Sequence, residues 1–251
     1  MSELYEALAP FYAEMNGDVP YARMAKYVQK CFFDHFDGEV KDVLDLGCGS
    51  GNMTFPLLSL GYSMIGVDAS ESMLAEARDS ARGDEVLWLC QDMRSFELYG
   101  TVEGVVSSLD CVNHLLKRED VLSCFSLVHN YLVPNGIFVF DINSPYKFRE
   151  VYGNNCYVLE SENAFCAWQN FFNERTGRCH FAVDLFEENA DGLYNRQSAD
   201  REEQMYSVRQ IRSMLEKTGF TLISVTDDYT DLAPVETTER LTFVARANKE
   251  M

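Results

Sequence analysis

The sequence is short of basic residues. It carries 21 Lys and Arg against 40 Asp and Glu, a formal net charge of −19 over 251 residues. A surface this negative repels phosphate backbones and anionic lipid headgroups, which argues against nucleic acid or a membrane as partner. No apolar run is long enough to span a bilayer. The chain opens Met1-Ser-Glu-Leu-Tyr-Glu6, with acids where a secretory signal needs bases, and no apolar segment follows, so a cytoplasmic protein is expected. The eight cysteines include no Cys-x-x-Cys pair, and the four histidines stand at no finger-like spacing from them. Neither a disulfide framework nor a metal site is expected; cysteines in apolar runs, such as Cys90, read as buried thiols. Internal repeats and low-complexity linkers are also absent.

What is present is enough apolar material, 47% of residues, to fill a sizeable core. The first 36 residues read as helical, best from Tyr21 to Phe36, where Tyr27, Val28, Cys31 and Phe32 recur at helical spacing. Strand-like and helical runs then alternate. The strands are Val43–Leu46, Met64–Val67, Val86–Cys90, Val102–Leu109 and Ile137–Phe140; the helices are Met53–Leu60, Ser72–Ala81 and Arg118–Tyr131. This alternation predicts right-handed βαβ crossovers and a mostly parallel sheet, and near-continuous apolar strands predict cover on both of its faces. The rhythm breaks after Ser144. Runs at Ala164–Phe172 and His180–Phe186, with turn signals at Thr176-Gly177 and Asp191-Gly192, predict an antiparallel insertion. Ser207-x-x-Gln210 is a capping box that opens a further helix, and strands at Thr221–Thr226 and Leu241–Ala245 close the chain.

The sharpest local signal is Val43-Leu-Asp-Leu-Gly-Cys-Gly-Ser-Gly51, a strand ending in alternate glycines ahead of a helix. Glycines there let backbone approach a ligand with no Cβ in the way. A dinucleotide fingerprint would need a third glycine where Asn52 stands, which disfavours a dehydrogenase. Asp45, two residues ahead of Gly47, suits the ammonium of an amino-acid-like ligand and would repel a pyrophosphate. Asp68 ends the second strand, where a carboxylate can accept both hydroxyls of a ribose. Asp92 follows the third strand and can accept from an adenine amino group, with Met93 offering an apolar side chain to the ring. Three successive strand tips thus suit ammonium, ribose and adenine.

That layout resembles the class I S-adenosylmethionine-dependent methyltransferases. Other runs carry the resemblance: Tyr5-Glu-Ala-Leu-Ala-Pro-Phe-Tyr12, Asp18-Val-Pro-Tyr21, Ser107-Ser-Leu-Asp-Cys-Val-Asn-His114, Pro134-Asn-Gly-Ile-Phe-Val-Phe-Asp-Ile-Asn-Ser144 and Glu239-Arg-Leu-Thr-Phe-Val244. It covers nearly the whole chain and is weakest over 145–204. It implies a Rossmann-like, seven-stranded, mostly parallel α/β sheet with helices on both faces, formed by 1–144 and 205–251. The antiparallel β insertion, 145–204, is expected to act as a substrate lid. The implied cofactor is S-adenosylmethionine (SAM), and the implied site is Asp45, Gly47, Cys48, Gly49, Asp68, Ala69, Ser70, Met73, Gln91, Asp92, Met93, Ser108 and Leu109, with Tyr12 and Tyr21 lying over the cofactor. Asn113 and His114 would face the acceptor, His114 as a candidate general base. The expected acceptor is a small molecule; a tRNA- or protein-modifying enzyme and a SAM-binding sensor without turnover are the alternatives. Arg178 reads as part of a solvated turn, the other three histidines as structural or surface groups, and Glu239 with Arg240 as a pair on the last strand.

Overall fold

The computed structural model describes residues 19–160, 164–189 and 191–249. Helix α1 (Tyr21–His35) leads into strand β1 (Asp42–Leu46). There follow α2 (Thr54–Ser59), β2 (Ser63–Asp68), α3 (Glu71–Asp79), β3 (Leu87–Cys90), β4 (Val102–Ser107), α4 (Arg118–Tyr131) and β5 (Leu132–Asn143). Strands β6 (Cys156–Glu160), β7 (Ala164–Asn173), β8 (Arg178–Glu188) and β9 (Tyr194–Gln204) come next. Helix α5 (Val208–Lys217), β10 (Phe220–Asp227) and β11 (Arg240–Ala247) complete the chain.

Seven strands form one sheet in the order β10-β11-β5-β4-β1-β2-β3. β11 runs antiparallel to both of its neighbours, and β1 to β5 pair in parallel. The architecture is the α/β one expected, with an antiparallel insertion after β5. Val43, Leu44 and Leu46 of β1 are all buried, because this central strand is covered on both faces. One apolar layer joins α4 and α5 to the sheet through Phe125, Val128, Ile211 and Leu215. The other joins α1, α2 and α3 through Val28, Phe32, Leu57 and Leu74. Ser207 closes the capping box with Gln210, as its spacing predicts, and fixes the start of α5.

The insertion forms a separate four-stranded sheet, β6-β7-β8-β9, reached through a π-helical turn at Lys147–Tyr152. Its two outer strands lie outside the two runs predicted for the insertion. Tyr-Asn-Arg-Gln-Ser-Ala-Asp-Arg-Glu-Glu-Gln, the whole of β9, is polar because it is mostly exposed and owes its shape to pairing with β8. Asn113 ties the insertion's two ends together. Its Oδ1 accepts from the Asn143 amide at 2.9 Å, and its Nδ2 donates to the Gln204 carbonyl at 2.8 Å. Among the described residues, no helix is long and apolar enough to cross a membrane.

Candidate functional site

The order of the sheet reverses between β1 and β4, and a crevice opens there at the carboxyl ends of the parallel strands, as open α/β sheets require. It holds a cavity of about 840 Å³.

The glycine turn forms one wall. Gly47, Gly49 and Gly51 have φ of 80°, 53° and 85°, a left-handed backbone that other residues adopt only under strain. Space is as tight as conformation: a Cβ on Gly47 would stand 2.6 Å from Cys111 Sγ, and one on Gly49 would stand 3.2 Å from Met73 Cε. Asp68, at the tip of β2, holds this turn. Its Oδ2 accepts from the Gly49 amide and its Oδ1 from the Ser70 amide, both at 2.8 Å. Burial pushes its carboxyl up, against the pull of these amides. With the Ala69 amide also pulling on it, the carboxylate still keeps acceptor capacity for a ligand.

Tyr21, Gly47, Cys48, Gly49, Asp68, Ala69, Ser70, Met73, Gln91, Asp92, Met93, Ser108 and Leu109 all line the cavity. Tyr12 lies outside the described residues. Asp45 does not line it: the carboxyl is buried behind the turn, where Oδ2 accepts from Thr54 Oγ1 at 2.5 Å. Its Oδ1 is buried with no hydrogen-bond partner among the described residues, and burial pushes the group up to about 7. Asp92 lines the cavity but is already engaged, because Arg94 Nε and Nη2 grip both of its oxygens and the Arg94 amide adds a third bond.

The insertion forms the opposite wall, with His180, Ala199, Asp200, Arg201 and Glu202. His180 therefore faces the cavity from β8, a correction to its reading as a structural or surface group: the strand alternates, and its position alone does not say which site its outward face meets. His114 lines the cavity as well, whereas Asn113 is buried in the joint between β5 and β9. Burial, helped by Arg201, pulls His114 down to about 4, so its imidazole is neutral at pH 7. Asp110, His114 and Glu203 each bring a ligand-type atom within 4.8 Å of the others. Arg240 pairs with Asp110, Asp141 and Asp228 across the fold, not with the adjacent Glu239. Residues so far apart in sequence leave no local pattern to read.

The residues present suit an adenosyl amino acid. The turn has no room for Cβ atoms, a carboxylate with spare acceptor sites stands at the β2 tip, and a buried acid with an orphan oxygen lies behind the turn.

Comparison with known proteins agrees. Residues 43–136 match a family model described as a methyltransferase domain. The putative methyltransferase YqeM of Bacillus subtilis (strain 168) is 31% identical over 248 residues, 98% of this chain and 98% of its own. The chain belongs to the class I SAM-dependent methyltransferases. Its cofactor is SAM and its reaction is methyl transfer. A SAM-dependent methyltransferase from Clostridium acetobutylicum superposes with a TM-score of 0.87 at 26% identity, over 98% of this chain and 100% of that one. The sugar N-methyltransferase KedS8 from Streptoalloteichus sp shares the fold, with a TM-score of 0.79 at 18% identity over 99% and 94%.

Proposed function

We propose that this methyltransferase acts on a small-molecule acceptor held between the turn after β4 and strands β8 and β9. The observation that carries the reading is the shared cavity. One wall is the glycine turn and strand tips; the other is the insertion. Its volume lies toward the upper end of the roughly 300–1,000 Å³ that drug-sized ligands occupy, leaving space beside a cofactor. KedS8, named for methylation of a sugar nitrogen, has the same fold, and a small polar acceptor fits the polar groups His114, His180, Asp200 and Glu202 on this chain's wall.

Bound SAM supplies a methyl group already made electrophilic by its sulfonium. The chain's own task is proximity and alignment for an in-line displacement. Gly47, Cys48, Gly49 and Asp68 hold the amino-acid and ribose parts, and Asp92 and Met93 flank the adenine. Ser108 and Leu109 stand at the methyl end. His114, neutral at pH 7, can accept a hydrogen bond from the acceptor's nucleophilic group and orient it; held at about 4, it is a weak base and takes little part as a proton acceptor. Strands β8 and β9 close the cavity and limit water at the reacting centre.

The test begins with binding. SAM and S-adenosylhomocysteine (SAH) should bind in calorimetry with little dependence on salt, and NAD should not. Purified protein with methyl-labelled SAM should then label a component of a small-molecule metabolite extract. NAD binding without SAM binding would sink the reading; label appearing only in protein or RNA fractions would move the acceptor to that class.

Asp45 yields a second expectation. In the free protein its carboxyl is protonated below about pH 7 because burial disfavours the charge. A ligand ammonium across the turn favours the ionised form, so SAM binding at pH 6 should release a proton. SAM affinity should rise from pH 5 to 8. The sign for stability is opposite. A folded-state value raised above the unfolded one contributes stability below about pH 4 that is lost as pH rises through 7. Asp45→Asn should flatten both dependences; calorimetry in buffers of different ionisation heat and melting temperature against pH check them.

A further inference from the structure

We propose that Asp141 is a positioning residue for methyl transfer, fixing the Leu109–Asp110 turn and tying it through Tyr229 to helix α1. The proposal rests on the reading that Leu109 faces the cofactor's methyl end.

Leu109 and Asp110 are consecutive non-glycine residues in the left-handed region, with φ of 57° and 56°. Such a pair persists only where its surroundings over-determine it. Here the determinant is one carboxylate. Asp141, on β5, is fully buried. Its Oδ2 accepts from the Leu109 amide and its Oδ1 from the Asp110 amide, both at 2.7 Å. Oδ2 also accepts from the Tyr229 hydroxyl at 2.6 Å, and Oδ1 from Arg240 Nη1. Four donors fill the four acceptor sites a carboxylate has. Arg240 Nη1 reaches the Asp110 carboxylate as well, at 3.2 Å, so the turn is held by its backbone and by its side chain.

Tyr229 is delivered by a second left-handed pair, Asp228 and Tyr229, with φ of 36° and 53°. This turn is fastened to α1. Arg23 donates to Asp228 at 2.9 Å, and Tyr27 packs edge-on against the Tyr229 ring with centroids 5.9 Å apart. Helix α1 begins at Tyr21, itself a cavity residue. One buried group therefore joins two walls of the cavity, Leu109 on one side and α1 on the other. A buried ion pair is no strong source of stability, since apolar side chains of similar volume often replace one at no loss. What this one supplies is the place of two amides.

The experiment compares SAM, sinefungin and SAH by calorimetry. The first two carry a group where the methyl is transferred; SAH has none. Tyr229→Phe keeps the buried ring and removes one donor. It should weaken SAM and sinefungin by roughly 3- to 10-fold, the range of one net hydrogen bond, with SAH changed less than about twofold. Asp141→Asn should widen that gap. If it fails to fold, Tyr229→Phe decides. Equal weakening of all three ligands, or no change in any, would overturn the proposal, because a merely structural group moves them together. Failure of the unsubstituted protein to bind any of the three would instead remove the reading beneath it.

Discussion

Asp68→Ala should abolish most SAM binding, while Asp92→Ala should cost little. Asp68 has two tasks. It offers spare acceptor sites to a ribose, and it holds the Gly49 and Ser70 amides that shape the turn. Hydrogen bonds to a charged group contribute about 1.5–3 kcal/mol each. Losing two from the ligand gives roughly a 10²- to 10⁴-fold loss of affinity, before the turn itself relaxes. Asp92 starts from a weaker position, because Arg94 already takes three of its acceptor sites through Nε, Nη2 and the backbone. One bond from an adenine amino group at a partly exposed edge should be worth about 10-fold or less. Titration of both variants with SAM is the check. Equal losses would reassign the ribose, and a larger loss at Asp92 would reverse the orientation of the ligand in the crevice.

Removing the insertion should separate binding from transfer. Replacing residues 145–204 by a short glycine linker should leave SAM affinity within a few-fold of the parent and remove methyl transfer to the native acceptor. A short linker can close the gap because Asn113 bonds both Asn143 and Gln204, which places the two cut ends side by side. No residue of the glycine turn or of the β2 and β3 tips lies in the deleted segment. By contrast, His180, Ala199, Asp200, Arg201 and Glu202 do, and with them goes the far wall of the cavity. Calorimetry and the labelled-SAM assay on one folded preparation decide it. Full turnover would place the acceptor elsewhere, whereas a loss of SAM binding as deep as that of Asp68→Ala would assign the segment to the cofactor.

The partition follows from what each signal depends on. The parallel sheet was legible because a strand covered on both faces must be nearly continuous in apolar residues, as Ile137 to Phe140 is and as Val43 to Leu46 is apart from Asp45. The glycine turn was legible because left-handed backbone and close approach each leave a residue-type mark at a fixed position. The acids at the strand tips were legible for the same reason: a parallel strand's carboxyl end is known once the strand is known. Strand β9 was not, since an exposed edge strand carries no apolar period and owes its form to β8.

Local sequence by itself determined the sheet, the turn and the strand-tip acids, because neighbouring residues write those features. Only the tertiary structure decided that Asp45 lies behind the turn and that Asn113 fastens the insertion. It alone brought Arg240 to Asp110 and Asp141, and His180 to the cavity. These follow from packing: the partners of Asn113 lie 30 and 91 residues away and those of Arg240 lie 99 and 130, at distances where no periodicity survives. A side chain's charge state and partners belong to the surface that folding presses against it.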